Sequence, residues 1–291
     1  SVVGSSPRTH LVAAPTGTTR VAAVIGSPVR HSLSPVIHNA AFGALDIDWT
    51  YLAFDVAAGD AADALDAMRT LRLGGLSVTM PHKADAAAAV DRLTPEASSL
   101  GAVNFVSWDR GELVGHNTDG RGFVDSLEAS IGAAVAGRHC HVVGAGGAAR
   151  AIVLALAEAG ADQVVVVNRS RAKAEVAAAL AGGKGRVGRP IDVKEADVVI
   201  NATSMGMAGT SAAHVLPVEP SLLREGQVLA ELVYHPLRTP LMDAAADIGA
   251  TVVGGVGMLV HQAARQFELW TGEAAPLDAM HEAANEAIAR A

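Results

Sequence analysis

The feature that most restricts the fold of this 291-residue chain is a glycine-rich turn between an apolar strand and an apolar helix. HCHVV (residues 139–143) precedes GAGGAA (residues 144–149), which matches the G-x-G-x-x-A pattern of a dinucleotide-binding strand–turn–helix unit. In that pattern Gly144 permits the turn, Gly146 lets backbone N–H groups approach a pyrophosphate, and Ala149 lets the helix pack closely on the strand. The loop therefore predicts dinucleotide binding, and the alternative is a glycine turn with a purely structural role.

The residues after the next predicted strand indicate which dinucleotide the chain binds. NAD-binding sites place Asp or Glu there, whereas this chain has Asn168, Arg169 and Ser170. A carboxylate would repel a ribose 2′-phosphate, but Arg169 can bind that phosphate and stack on adenine. Lys173 follows one helical turn beyond Arg169. These residues favour NADP(H), and the alternative is a solvated basic start of a helix.

Strands and helices alternate along most of the chain, which predicts an α/β protein with mostly parallel sheets. The predicted strands are residues 21–25, 49–56, 73–79, 139–143, 163–167, 196–200, 227–233 and 251–253. The predicted helices are residues 34–43, 59–70, 82–90, 120–130, 150–159, 171–180, 239–248, 258–270 and 277–290. The length accommodates two domains, with a boundary near residue 119 and a second hinge at Gly254 and Gly255. Residues 1–19 mix Ser, Thr, Gly and Pro without periodicity, and we expect a flexible tail.

Composition removes several classes of function. Half of the residues are hydrophobic, and the net charge of -8 without a basic run argues against nucleic-acid binding. No apolar run approaches the roughly 18 residues that span a membrane. Cys140 is the only cysteine, which excludes intrachain disulfides and suits a reducing compartment, so we expect a cytoplasmic protein. The eleven histidines show no metal-ligand spacing, so no metal is expected.

Two serines follow the first predicted strand at the entrance of a helix. GSPVRHSLSP (residues 26–35) contains Ser32 and Ser34, whose hydroxyls can donate to a carboxylate near the positive end of the helix dipole. Ser34 directly before Pro35 is equally suited to cap that helix. The residues alone leave both interpretations open.

A lysine and an aspartate lie at the starts of two other predicted helices. LSVTMPHK (residues 76–83) places Lys83 near the third helical position, where the helix dipole disfavours an ammonium group and favours proton donation. GHNTDG (residues 115–120) places Asp119 at a helix start, where a carboxylate also simply complements the dipole. Because both lie at the ends of elements, where α/β folds form clefts, we interpret them as a candidate catalytic pair.

With these motifs in view, the chain resembles the shikimate dehydrogenase family over nearly its whole length after residue 19. The matching segments occur in the family's order and are GSPVRHSLSP, LSVTMPHK, AVNF (102–105), HNTDG, GAGGAAR, NRS, NATSMGM (201–207), VYHPLRTPL (233–241) and GVGMLVHQA (255–263). The resemblance implies reversible NADPH-dependent reduction of 3-dehydroshikimate to shikimate. It also implies an N-terminal substrate-binding domain (residues 20–118 plus 256–291) and an inserted Rossmann domain (residues 119–255) that binds NADP(H).

The resemblance further assigns roles to individual residues. Lys83 and Asp119 form the catalytic pair. The implied substrate-binding residues are Ser32, Ser34 and Tyr234 for the carboxylate, and Thr79, Asn104, Asp119 and Gln262 for the ring oxygens. The implied cofactor-binding residues are Gly144, Ala145, Gly146, Gly147, Ala148, Asn168, Arg169, Ser170, Lys173, Thr203, Gly255 and Met258.

Two positions depart from the family pattern, since Glu231 stands where Asp is more frequent and Ser170 where Thr is common. Two other functions stay open. One is an NAD-dependent quinate/shikimate dehydrogenase, which Ser34 and Arg169 disfavour, and the other is a non-catalytic NADP(H)-binding regulatory module. The expected partner is the small-molecule substrate, and the expected assembly is a monomer or a homodimer.

Overall fold

A computed structural model describes residues 14–290, which form two six-stranded sheets with helices on their faces. Most of the predicted flexible tail, residues 1–13, lies outside the described residues. The end of that tail is held in place, because Thr18 and Thr19 donate hydrogen bonds to the two carboxylate oxygens of Asp48 at 2.9 and 2.6 Å. None of the helices within residues 14–290 is long and apolar enough to cross a membrane.

The described elements reproduce the predicted alternation with shifts of one to three residues at most boundaries. The strands are β1 (Arg20–Gly26), β2 (Trp49–Asp55), β3 (Gly75–Val78), β4 (Arg92–Leu93), β5 (Phe105–Asp109), β6 (Glu112–His116), β7 (His139–Val143), β8 (Gln163–Val167), β9 (Gly185–Val187), β10 (Val198–Asn201), β11 (Val228–Glu231) and β12 (Thr251–Val253). The helices are α1 (Ser34–Ala44), α2 (Ala61–Leu71), α3 (Lys83–Ala89), α4 (Pro95–Leu100), α5 (Asp119–Ile131), α6 (Gly147–Glu158), α7 (Arg171–Ala179), α8 (Pro240–Asp247), α9 (Val256–Thr271) and α10 (Leu277–Ala289).

The first sheet has the strand order β2-β1-β3-β5-β6-β4 and is only partly parallel. Strands β1, β2 and β3 pair in parallel, as does β4 with β6, whereas β3/β5 and β5/β6 are antiparallel. The antiparallel part is a hairpin whose two turn residues, Arg110 and Gly111, both have positive φ, of 50° and 88°. Such a turn matches the twist of antiparallel strands. The sequence patterns missed β4, α4 and this hairpin, but three of the five strand pairings are parallel, as expected for a mostly parallel sheet.

The second sheet is entirely parallel, with the order β12-β11-β10-β7-β8-β9. Chain order therefore reverses between β7 and β10, and the crevice at the carboxyl ends of those strands is where such sheets bind ligands. Helix α6 leaves β7 directly beside that reversal, because the loop GAGGAA connects the two.

Buried apolar residues cover both faces of each sheet. In β1, Ala22 and Val24 face a core shared with α1, α9 and α10, whereas Ala23 and Ile25 face a core shared with α2, α3 and α4. The C-terminal helices α9 and α10 thus pack on the first sheet, although their sequence follows the second.

Helices α5 and α9 approach each other closely at Gly122. A Cβ built on Gly122 would lie 2.6 Å from the backbone N of Gln262 and 2.7 Å from its Cα. Backbone atoms of a packed helix cannot move aside as a flexible side chain can, so this crossing requires glycine.

We expect Gly122→Ala to lower the free energy of unfolding by about 1–3 kcal/mol through overpacking at the helix crossing. Urea denaturation followed by circular dichroism measures this loss. Gly183→Ala is the matched control, because a Cβ there meets no atom within 4 Å. Equal stability of the two variants would contradict the role of this crossing.

His38 is fully buried in α1 and stacks on Tyr51 with 4.4 Å between ring centroids. Burial lowers the pKa of His38 to about 3, because the charged imidazolium would lose its hydration. The unfolded chain therefore binds a proton at this residue between pH 6.5 and about 3, whereas the folded chain does not. The stabilisation from burying neutral His38 is therefore fully present above pH 6.5, and it is lost as the pH falls towards about 3.

His38→Phe should consequently reduce the slope of unfolding free energy against pH, between pH 6 and 4.5, by about 1.4 kcal/mol per pH unit. Urea denaturation at a series of pH values measures this slope. A loss of stability that is the same at every pH does not change it. An unchanged slope would show that His38 does not titrate on unfolding.

Candidate functional site

A cavity of about 520 Å³ opens where loops after strands of both sheets meet. The residues predicted to act on the substrate or beside it all line this cavity, and they are Ser32, Ser34, Thr79, Lys83, Asn104, Asp119, Thr203, Tyr234, Gly255, Met258 and Gln262. Ala148 of the glycine-rich loop also lines it. The tertiary structure thus brings residues from eight separate motifs of the sequence to one place.

Lys83 and Asp119 form an ion pair in this cavity, with 2.5 Å between Nζ and Oδ2. The side chains are 29% and 13% exposed, so both remain accessible to a bound molecule. The second carboxylate oxygen of Asp119 accepts a hydrogen bond of 2.8 Å from Asn104 Nδ2. The carboxylate is therefore fixed at both oxygens, one by the ammonium group and one by the amide.

Backbone interactions hold the two partners in place. Lys83 is the first residue of α3, not near its third position as predicted, and its carbonyl accepts a hydrogen bond of 2.8 Å from the Val103 amide. Asp119 is the first residue of α5, as the sequence indicated. The amide of Thr118 donates to Asn104 Oδ1 at 2.8 Å, which ties the start of α5 to the segment before β5.

Ser32, Ser34 and Tyr234 all line the cavity, and each carries a hydroxyl group. Ser34 is the first residue of α1, and the N-cap is Leu33, which makes no side-chain capping bond. The capping interpretation of Ser34 is therefore wrong, because the helix starts one residue earlier than Pro35 implied. Burial raises the pKa of the Tyr234 phenol, so this hydroxyl keeps its proton and can donate to an anion.

The glycine-rich loop has the shape of an anion cradle. Gly144 has φ of 119°, and a Cβ there would lie 2.7 Å from the carbonyl oxygen of Ala202. By contrast, a Cβ on Gly146 or Gly147 would meet no atom within 4 Å, so the space in front of the α6 N-terminus is open. Ala149 is fully buried against the sheet. This open, positively polarised helix start fits a pyrophosphate.

A second cavity, of about 390 Å³, adjoins this loop and is lined by Ala145, Gly146, Gly147, Arg150, Ala172, Lys173 and Val176. Lys173 therefore faces the same space as the loop. Asn168, Arg169 and Ser170 line neither of the two cavities, and Ser170 caps α7 by accepting a hydrogen bond of 3.4 Å from the Lys173 amide.

The basic residues after β8 differ in their partners. Arg171 pairs with Glu175 at 2.9 Å, whereas Arg169 is exposed and makes no ion pair within residues 14–290. Arg169 is thus available to an anionic group, and Arg171 is already neutralised.

Glu231, one of the two departures from the family pattern, links the segments that follow β10 and β11. These segments contribute Thr203 and Tyr234 to the lining of the cavity. Its carboxylate accepts hydrogen bonds from Asn201 Nδ2, the Val233 amide and Thr239 Oγ1 at 2.8, 3.0 and 3.1 Å. Asn201 in turn accepts a bond of 2.7 Å from Thr203 Oγ1. Burial raises the pKa of Glu231, and the three donors oppose that effect.

Sequence reasoning missed several polar residues of the site. Ser77 and Gln266 line the cavity, Thr118 is buried beneath it, and Arg150 lines the second cavity. Ser77 lies within the motif LSVTMPHK, where it had been given no role. Gln266 follows Gln262 by one helical turn, and this spacing could have indicated that both face the site. Residues 14–290 contain no cluster of three or more His, Cys, Asp or Glu side chains that could hold a metal ion.

Three family models match the chain. They are a shikimate dehydrogenase substrate binding domain over residues 24–106, a shikimate/quinate 5-dehydrogenase over residues 126–219, and a shikimate 5′-dehydrogenase C-terminal domain over residues 255–284. Together these matches include parts of both sheets and all of the C-terminal helix α9.

Individual proteins match over nearly their full length. A shikimate dehydrogenase (NADP⁺) of Moorella thermoacetica is 42% identical over 280 residues, which is 93% of this chain and 94% of that protein. A shikimate dehydrogenase crystal structure in complex with NADP⁺ has a TM-score of 0.89 at 34% identity and covers 96% and 99% of the two chains. The shikimate 5-dehydrogenase of Thermus thermophilus, in complex with NADP(H) and shikimate, has a TM-score of 0.85 at 37% identity and covers 92% and 100%. At this level of identity and coverage, the chain belongs to the shikimate dehydrogenase family.

Proposed function

We propose that this protein is an NADP-dependent shikimate dehydrogenase, which reversibly reduces 3-dehydroshikimate to shikimate. The observation that carries the proposal is the Lys83–Asp119 ion pair, accessible in a cavity that also contacts the glycine-rich loop. A proton donor and a cofactor cradle beside one cavity are what a carbonyl reduction by hydride transfer requires.

The residues present fit NADP(H), because the loop combines an open helix start with two glycines that leave the space before it free. Residues 144–148 would hold the pyrophosphate. Asn168, Arg169, Ser170 and Lys173 would hold the adenosine end with its 2′-phosphate. Thr203 would lie beside the cofactor, and Gly255 and Met258 beside the nicotinamide. When bound, the reduced nicotinamide supplies the hydride that the carbonyl carbon accepts.

The protein's own contribution is to bind the substrate and to manage one proton. Lys83 Nζ carries protons within the cavity, so it can stabilise the oxygen that becomes negative during reduction and transfer a proton to it. Asp119 keeps the ammonium group in position and balances its charge, and Asn104 keeps Asp119 in position. In the oxidative direction the same groups would accept the hydroxyl proton.

Substrate orientation would come from two sets of residues that line the cavity. Ser32, Ser34 and Tyr234 would offer hydroxyl donors to the carboxylate, and Thr79, Asn104, Asp119 and Gln262 would bind the ring oxygens. Hydroxyl donors bind a carboxylate without placing a second permanent cation beside Lys83.

We further propose that residues 20–118 with 256–291 form the substrate-binding unit and residues 119–255 the cofactor-binding unit. The packing of α9 and α10 on the first sheet supports this division. Assembly as a monomer or homodimer, and location in the cytoplasm, stay predictions that light scattering and cell fractionation test.

The direct test of the proposed function is NADPH formation, followed by absorbance, from shikimate and NADP⁺. Turnover with quinate and NAD⁺ in preference to this pair would favour the quinate/shikimate alternative. Binding of NADPH without turnover of either acid would favour a regulatory module.

Lys83→Ala should lower kcat by about 100-fold or more while changing KM for shikimate little, because the lysine acts mainly on the transition state. Steady-state kinetics measure both constants, and Lys194→Ala, which changes an exposed lysine outside both cavities, is the matched control. Near-normal turnover of the Lys83 variant would remove it from the reaction.

Arg169→Ala should raise KM for NADP⁺ roughly tenfold and leave KM for NAD⁺ nearly unchanged, since the charged hydrogen bonds to the 2′-phosphate would be lost. Arg171→Ala is the matched control, because its guanidinium already pairs with Glu175. If both variants weaken NADP⁺ equally, the contribution is general positive charge and not a specific contact.

A further inference from the structure

A directional chain of hydrogen bonds starts at Tyr51 and continues through Ser77 and Gln266 in the wall of the cavity. Tyr51 Oη donates to Ser77 Oγ at 2.6 Å, and Ser77 Oγ donates to Gln266 Oε1 at 2.7 Å. Gln266 Nε2 then donates to Gln262 Oε1 at 2.7 Å and to Thr118 Oγ1 at 3.2 Å. The chain connects β2, β3 and α9, and it ends on a residue that lines the cavity.

The members of this chain are almost inaccessible to water. Tyr51, Ser77 and Gln266 are 1, 5 and 2% exposed. Burial raises the pKa of Tyr51, so its hydroxyl keeps the proton that starts the chain, and the adjacent His38 is neutral. A buried polar group that loses its partner loses its hydration without compensation, so these bonds define one arrangement.

That arrangement fixes the side-chain amide of Gln262. Its Oε1 accepts from Gln266, and its Nε2 donates to the Leu259 carbonyl at 2.8 Å. Turning the amide over would place its NH₂ group against the NH₂ group of Gln266 and its oxygen against a carbonyl oxygen, which loses both bonds. Gln262 Nε2 therefore keeps one N–H for a further acceptor.

We propose that Gln266, oriented by Ser77, is a positioning residue that makes Gln262 a hydrogen-bond donor to the substrate. This inference rests on the proposed function. A Gln262 N–H donor requires an acceptor on the substrate ring. A hydroxyl group can accept this hydrogen bond, whereas an ammonium group cannot. Gln266 acts through Gln262 and does not touch the reacting atoms.

A double-mutant cycle of Gln266→Met and Gln262→Ala tests the proposal, because methionine keeps the length of the side chain and removes its amide. We expect Gln266→Met to raise KM for shikimate roughly 3- to 10-fold, the value of one hydrogen bond, with kcat within about twofold and KM for NADP⁺ unchanged. In the Gln262→Ala background the same substitution should add no further rise in KM.

Two results would overturn the proposal. One is an unchanged KM in Gln266→Met, and the other is an equal rise in both backgrounds, which would make Gln266 a packing residue only. If Gln266→Met does not fold, Ser77→Ala replaces it in the cycle. Loss of this single hydroxyl frees the Gln266 amide to turn, so a rise in KM of roughly 2- to 5-fold is expected, again absent in the Gln262→Ala background.

Gln227→Met is the matched control for losing a buried glutamine. Gln227 is 1% exposed, donates to the carbonyls of Val193 and Ala196 at 2.8 Å each, and lines neither cavity. It should lower the melting temperature and leave KM for shikimate unchanged. A wild-type protein that does not turn over shikimate would refute the proposed function itself, whereas an active wild type with an additive cycle refutes only the role of Gln266.

Discussion

The close crossing of α5 and α9 is the contact on which the rest of the site depends. At Gly122 the two helices approach so closely that a methyl group would collide with the backbone of Gln262. Helix α5 begins with Asp119, and α9 carries Met258, Gln262 and Gln266. A shift of this crossing would therefore move the proposed catalytic pair, the proposed nicotinamide contact and the Gln262 amide that we propose binds the substrate together. Because backbone contacts between packed helices deform little, the crossing fixes these groups relative to one another.

The two sides of the site are arranged by different means. Around the cavity, Asp119 is bonded at both oxygens, Gln262 at both ends of its amide, and Glu231 to three donors, one at the end of β10 and two between β11 and α8. Buried bonds of this kind are costly to break, so they orient side chains before any ligand enters. On the cofactor side, two glycines leave the start of α6 open beside the reversal of strand order, and anion binding depends on backbone N–H groups. In the proposed function, discrimination between cofactors depends on Arg169 and Lys173.

Features that depend on residues close together in the chain were predictable from the sequence. The glycine-rich turn, the alternation of strands and helices typical of mostly parallel sheets, the start of α5 at Asp119 and the basic residues after β8 follow from local spacing, and the motifs sufficed to predict the family. The sequence did not predict the hairpin of β5 and β6, because its turn residues Arg110 and Gly111 lack the Asn-Gly or Asp-Gly signature of such turns. The sequence also left the role of Ser34 undecided. Capping depends on the residue at which the helix begins, and packing against neighbouring elements decides where that is.

Only the tertiary structure decided which distant residues meet. Ser77 and Gln266 are 189 residues apart and share no pattern, yet their hydrogen bond orients the amide of Gln262. Their partnership arises because α9 returns from beyond the second sheet to pack on the first. The periodicity of apolar residues indicates which face of a helix or strand is buried. It does not indicate which polar group of another element lies opposite that face. For that physical reason the chemistry of the site was predictable from the sequence, and the arrangement that orients it was not.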